Sequence, residues 1–571
     1  MKRILSVTMA MLTLGSLLMG LAGCSPNKMD TTKTHLYVAN YNGGVGEKWL
    51  DNAVERFEEA NAGVSFEKGK TGIDIHVDHD KSYDGLSLAT SIMTSRYDVF
   101  FTQMLDYNNF VGSGYLLPLT DLVEETVGAD GKTIVSKLTD NTANVLKVSN
   151  PQTSEKDYFA IPHYELYQGI QYDAGMFKNK KLYFSDRILA DGTRDFVVNA
   201  NSKKSPGPDG RTGTSDDGLP SSFEEFYKLI NKADQSGVPF IWTGKSYHYT
   251  NMLLLAAYTN YVGAEGVNLN LNFENSVGET LEVVTGWNGD GTPIIQEKTI
   301  THENAYYVKQ SAGLYYALEL AHRVFNNSNN YYPGCTSGSF GHLEAQKTFM
   351  RSGLNGKDGV AMLIDGNYWF NESTDANVFK ELKKDYPDTY QEKDIKWMHF
   401  PHLYKGTQEE LPAGEEPIKQ VLVDSYSSYA VVKSRIKSNL IPAAKAFLSF
   451  LYTDEELLNF TQDTNGVIKA VNYDYTSIIE NLPSYAKDLL ALREDSLKGG
   501  SLIKTLSNDK IFISNYKQFS VGEADFWYSK DFNYACNAFA PDAIKKATVK
   551  SYFEGMWIGE AKWKDSYNIY N

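Results

Sequence analysis

The 571-residue chain has little cysteine: Cys24, Cys335 and Cys536 are its full complement. Three thiols are too few for a disulfide scaffold, and their spacing matches no metal-binding or catalytic pattern. Beyond the first two dozen residues, no stretch approaches the ~20 consecutive apolar residues of a membrane-spanning helix. No repeat at a fixed period and no long low-complexity tract occurs, which excludes solenoids and propellers. A nucleophile elbow, a phosphate-binding loop, an HExxH zinc motif and a Ser/His/Asp signature are all missing. Positive charge is also short. Lys and Arg total 55 against 71 Asp and Glu, a formal charge of -16. So acidic a surface repels nucleic acid and anionic ligands, and no nucleic-acid partner is expected.

What is present begins with the first 24 residues. Lys2 and Arg3 precede a largely apolar run over residues 4–21, which ends in Leu21-Ala22-Gly23-Cys24. The run is too short and wrongly flanked for an ordinary transmembrane helix and reads as a secretory signal. Its ending resembles a bacterial lipoprotein signal. That resemblance implies cleavage after residue 23, acyl chains such as palmitate on Cys24, and residence on the outer face of the cell membrane. A buried methylene contributes about 0.8 kcal/mol, so more than one chain is needed for stable attachment. Residues 24–34 would be the lipidated tether, since 25–33 are small, polar and charged. With Cys24 acylated, Cys335 and Cys536 either pair or stay free.

The remaining length exceeds the ~250–300 residues at which single cores stop growing, so at least two lobes are expected. Strand-like and helix-like segments alternate, the pattern of an α/β fold. Residues 36–39, 73–77, 98–101, 159–161, 169–172, 360–364 and 428–432 read as strands. A helix should start near Glu47, with Trp49, Leu50, Ala53, Val54 and Phe57 on one face. Ser222 and Thr453 each precede a helix in the Ser/Thr-x-x-Glu spacing of a capping box. Residues 186–219 and 281–300 look like surface insertions, the second a hairpin turning at Asn288-Gly289-Asp290-Gly291.

Several short motifs follow one another in a telling order. They are VANYNGGVGEKWLDNAVERFEEAN from Val38, Arg96-Tyr97-Asp98-Val99-Phe100, and Phe159-Ala160-Ile161-Pro162 with Gly169-Ile170-Gln171-Tyr172-Asp173. Pro220-Ser221-Ser222-Phe223-Glu224-Glu225-Phe226 comes next, then Gly359-Val360-Ala361-Met362 with Asp365-Gly366-Asn367-Tyr368-Trp369, and AAKAFLSFLYTDEELLNFTQDTNG from Ala443. In that order the chain resembles the extracellular solute-binding proteins of family 1, the maltose-binding-protein-like group. The resemblance implies a two-lobed, type II periplasmic-binding-protein-like fold with a ligand cleft between the lobes. The first lobe would hold residues 35–161 and 366–424, the second 162–365 and 426–571. It further implies a monomer without catalytic activity or required cofactor. Such a protein captures a carbohydrate and hands it to the permease subunits, and indirectly the ATPase, of an ABC importer. Hinge closure on the ligand would be the signal.

Ligand contacts are expected where strands end at the cleft. Asn42 and Gly43 sit in the Gly-rich turn after the first strand, and Asp106 and Tyr107 follow the strand at 98–101. His163, Tyr164 and Glu165 come just after the first crossing. Trp369 stands where relatives stack a tryptophan on sugar, and Trp242 and Trp527 are further aromatic candidates. Aromatic residues make up 13% of the chain, including 38 Tyr and 8 Trp, and rings with polar tips suit sugars. The Gly207–Gly218 loop, with Asp209, Asp216 and Asp217, offers the oxygen donors of a structural calcium site, though not in EF-hand spacing. Two alternatives are a peptide-binding lipoprotein of an importer and, with less support, a surface glycoside hydrolase.

Overall fold

The computed structural model describes residues 29–272, 280–354, 358–424, 428–504, 521–522 and 524–567. The signal run and Cys24 lie outside these residues. Nine strands frame two sheets: β1 (Thr34–Tyr41), β2 (Ile73–Asp80), β3 (Val99–Thr102), β4 (Ile161–Pro162), β5 (Gln168–Asp173), β6 (Val238–Ile241), β7 (Val360–Gly366), β8 (Ile395–Trp397) and β9 (Tyr429–Val432). The first sheet runs β2-β1-β3-β9-β4 and the second β6-β7-β5-β8. Each is mixed. β1 is parallel to β2 and β3, whereas β9 runs antiparallel to β3.

Hydrophobic patterning explains these elements. β3 and β7 are buried along their whole length, as sheet-centre strands covered on both faces should be. In β1 Leu36 and Val38 turn into the core while His35 and Tyr37 face the other side. Helix α1 (Lys48–Ala60) buries Trp49, Leu50, Ala53, Val54 and Phe57, the apolar face read from the sequence. Ser222 caps its helix through a hydrogen bond from the Glu225 amide (3.3 Å). The reciprocal half of the box is replaced, because the Glu225 carboxylate accepts from Ser221 and the Arg194 amide instead. Thr453 makes no cap at all; its hydroxyl donates back to the Phe450 carbonyl.

Two apolar cores confirm two lobes, but the segments divide differently from the sequence expectation. After β7 the chain stays with the second core, where Trp369, Leu382, Ile395, Trp397, Phe400 and Val423 are buried. It crosses only after Asp424. β9 and the helices Ile441–Leu451 and Asp454–Asp463 then complete the first core. Tyr485, Leu489 and Leu492 return to the second. The expected boundary near 425 is therefore a crossing in the opposite sense, and residues 366–424 belong to the second lobe. The physical reason is pairing: β8 hydrogen-bonds to β5 and β9 to β3, and partners of this kind are invisible in a local motif.

Both insertions lie largely at the surface, as expected, and each is rooted by a few buried residues. The 281–298 hairpin forms as read, with Gly291 at φ 85°, yet Leu281, Val283 and Val284 pack inward. In the other, buried Arg194 donates to Thr407 and to the Asp186 and Gln408 carbonyls. Cys335 and Cys536 are both unbonded thiols. Among the described residues no helix is long and apolar enough to cross a membrane.

Candidate functional site: the cleft between the lobes

A cavity of about 740 Å³ lies where the C-terminal end of β1 faces the second lobe. That is within the roughly 300–1,000 Å³ typical of small-molecule sites. Its first wall is the Tyr41–Gly44 turn, Asp84 and the 103–106 loop. Its second wall is Gln168, the 246–251 segment, His342, Tyr368, Glu372 and Trp527. Carboxylates, amides and amphipathic rings share the lining with apolar side chains such as Leu105, Phe110, Leu166 and Leu255.

The turn is shaped by its glycines. A Cβ on Gly43 would meet the Tyr41 ring at 2.6 Å, and Gly44 has φ 59°. This lets the Gly44 amide reach across to the Glu372 carboxylate (3.2 Å), while Asn371 donates to the Gly44 carbonyl (3.1 Å). The lobes thus touch at one rim of the cleft. Met104 holds φ 57° and is half exposed on the floor, a conformation that costs a bulky residue energy and clusters at functional sites. Burial pushes the Asp84 carboxyl up and the His248 imidazole down.

Of the residues picked from sequence, Gly43, Asp106 and Trp527 line this cavity. Asp106 precedes the helix Tyr107–Gly112 without capping it by its side chain. Asn42 lines an adjoining groove of about 550 Å³ and donates to Glu47. The others lie in the interior. Tyr107 stacks on Tyr429 and its hydroxyl bridges Leu146 and Phe159 of the backbone. Tyr164 donates to the Gln103 side chain (3.0 Å) and so positions a cleft residue from behind. His163 faces the Lys469 amine (2.8 Å) in a fully buried pair, sealed under Trp49.

Glu165 is an ion-pair centre at the crossing. It takes two hydrogen bonds from Arg493 (2.7 and 3.0 Å), lies 3.4 Å from Lys504, and accepts from the Tyr167 hydroxyl. Burial raises its pKa, but the two cations outweigh that and hold it at about 2. Trp369 is wholly buried against Phe349, Phe370 and Tyr485. The ring at the cleft is its neighbour Tyr368. One residue of offset along the turn after β7 sends the two side chains to opposite sides. Trp242 belongs to the second core beside Phe325 and Tyr331, where its amide donates to Cys335 Sγ (3.3 Å).

The sequence reading missed Asn251. This residue lines the cavity on the 248–272 helical segment, almost completely buried, and neither end of its amide has a hydrogen-bond partner among the described residues. Buried polar atoms are nearly always satisfied, so an unpartnered amide beside the cavity is unusual. An Asn followed directly by the apolar run 252–257 was the available signal.

In the calcium-candidate loop, Asp216 accepts from the Asp209 amide (2.8 Å) and the Thr214 hydroxyl (2.6 Å). Asp217 turns away to accept from the Gly213 amide (2.9 Å). The three carboxylates therefore do not converge as one donor group, because Asp217 serves the turn. Burial and the Asp216 charge raise Asp209 to about 7, and burial raises Asp216 to about 6.

Two α/β lobes around a polar, ring-lined cleft define a protein built to enclose a small solute. The model of the bacterial extracellular solute-binding proteins matches residues 44–457, and the chain belongs to that family. A sequence comparison with curated proteins finds no match. Among solved structures, a chitin oligosaccharide binding protein superposes with TM-score 0.53 at 14% identity, covering 94% of this chain and 99% of its own. A maltose-bound MalE3 of T. maritima gives 0.51 at 11%, covering 93% and 99%. An ABC transporter solute-binding protein of Thermotoga lettingae bound with α-D-tagatose gives 0.51 at 12%, covering 93% and 100%. At these identities the likeness establishes the fold.

Proposed function

We propose that this protein is the lipid-anchored, substrate-binding component of an ABC importer, taking an oligosaccharide into the interlobe cleft and delivering it to a permease. The observation that carries the carbohydrate reading is the cavity lining: Tyr41, Tyr249, Tyr368 and Trp527 share it with Asp84, Asp106 and Asn251, whose buried amide has no partner among the described residues. Rings cover the apolar faces of a sugar while amides and carboxylates exchange hydrogen bonds with its hydroxyls. Two of the solved neighbours hold maltose and tagatose in the same fold, and a third is named for binding chitin oligosaccharide. Anchoring through Cys24 would keep the cleft beside the membrane. A ligand that touches both walls favours the closed form, and that form is what the permease would read.

Calorimetry of the full chain in detergent, against oligosaccharides and short peptides, tests this reading. An oligosaccharide should bind without being consumed, and Asn251→Ala should weaken it by about 10- to 100-fold, the loss of one or two hydrogen bonds in a desolvated site. Peptide binding alone would move the protein to a different transport substrate, and turnover of the sugar would make it a hydrolase.

We further propose that Asp209 and Asp216, completed by carbonyls of their loop, take up a structural Ca²⁺. Both carboxyls are raised above their ordinary value in the fold. In metal-free buffer their contribution to stability is full below about pH 4 and is lost as pH rises through 6 to 7. Calcium should abolish that loss and raise the melting temperature at pH 7, and chelator should lower it again. A melting curve indifferent to both would remove calcium from the account.

A further inference from the structure

The opposite end of the first sheet carries a cluster that the cleft does not use. β1 and β2 pair in parallel, with His35 opposite Asp74 and Tyr37 opposite His76. The period of two puts these four side chains on one face, the face away from Leu36 and Val38. There, His35 Nδ1 lies 2.9 Å from His76 Nε2, and Asp74 Oδ2 lies 3.5 Å from the first and 3.8 Å from the second. The imidazole planes are nearly parallel, 19° apart, with centroids 5.2 Å from each other. Tyr37 stacks on His76 at 4.8 Å, and Arg96 covers the Tyr37 ring.

We propose that His35, Asp74 and His76 form a site for one zinc-class divalent transition-metal ion. Ligands about 2.0–2.1 Å from a tetrahedral ion stand about 3.3 Å apart, and the three observed separations bracket that value. Two imidazoles and one carboxylate suit zinc and its neighbours rather than calcium or magnesium. The outer nitrogen of His35 is already committed, because Nε2 lies 2.8 Å from the Asp30 carbonyl oxygen. Donation there places the proton on Nε2 and leaves the Nδ1 lone pair facing His76, the outer support usual for a metal-bound imidazole. Without metal, His76 Nε2–H donates to that lone pair. With metal, His76 carries its proton on Nδ1, the nitrogens part by a few tenths of an ångström, and water takes the fourth position. His76 and Asp74 are each about one-third exposed, which gives the ion an entry path.

His35 is the second residue of β1 and Tyr41 ends the strand at the cleft. At ~3.3 Å per residue the two sites are some 20 Å apart. The metal would clamp the start of β1 and the Asp30 segment to the edge strand β2, and the proposal stands independently of what the cleft binds. The test uses the full chain in detergent, without a histidine tag and stripped by chelator. Cobalt(II) should produce the visible bands of a tetrahedral ion at one equivalent, and zinc should displace it and raise the melting temperature. His76→Gln, on an exposed edge, and His35→Gln should each weaken zinc more than about 100-fold, beyond what outer-sphere changes cost. Unaltered circular dichroism and sugar titration in His76→Gln would show that the fold is intact. Absence of binding in the wild type, or equal binding in both variants, would overturn the site.

Discussion

Glu165→Ala is expected to destabilise the protein by about 3 kcal/mol, because it removes the buried counter-charge of Lys504 and leaves Arg493 only the partly exposed Glu494. The carboxylate is almost fully buried, so solvent does little to screen the loss. Glu165→Gln should come close to the same cost, since shape is kept and charge is not. Urea unfolding at neutral pH measures both. The acid limb supplies a second readout. The folded pKa, about 2, lies below the ordinary value of 4.5. The pair therefore contributes fully above about pH 4.5 and loses its contribution as pH falls toward 2. The alanine variant should lack that part of the acid destabilisation. If it unfolds at the wild-type urea midpoint, the ion pair is not a determinant of how the crossing is held.

Trp369→Ala and Tyr368→Phe should separate stability from binding. Trp369 has no exposed surface and packs on Phe349, Phe370 and Tyr485, so its removal should cost about 3–5 kcal/mol through the cavity it leaves. Ligand affinity of the folded fraction should hardly change. Tyr368 borders the cavity but is also a buried member of the first core, so Tyr368→Phe, which keeps the ring packed, should lower sugar affinity roughly tenfold with only a small change in melting. Paired unfolding and calorimetry decide the matter. A loss of affinity in Trp369→Ala without loss of stability would reverse the two assignments.

This pair shows where local reading reaches its limit. The motif Asp365-Gly366-Asn367-Tyr368-Trp369 correctly marks the end of a buried strand. It does not say which of two adjacent rings turns to the ligand, because that depends on the direction in which the chain leaves β7. Glu165 poses the same difficulty. A carboxylate after the crossing could line the cleft or balance a cation, and the cation is Arg493, 328 residues further along. Asp106 and Gly43 were legible because a strand's C-terminal end points at the cleft whatever packs behind it.

Sequence alone determined the α/β class, most strand positions, the apolar face of α1, the hairpin turning at Gly291 and the solute-binding family. Each of these rests on periodicity, turn chemistry or motif order, which act over a few residues. The tertiary structure decided which lobe owns residues 366–424, which aromatic rings meet the cavity, and that the Asn251 amide is buried beside it without a partner among the described residues. It also brought His35 together with Asp74 and His76. These depend on strand pairing and packing between segments far apart in the chain. Such contacts are selected by the free energy of the whole core, so no window of sequence contains them.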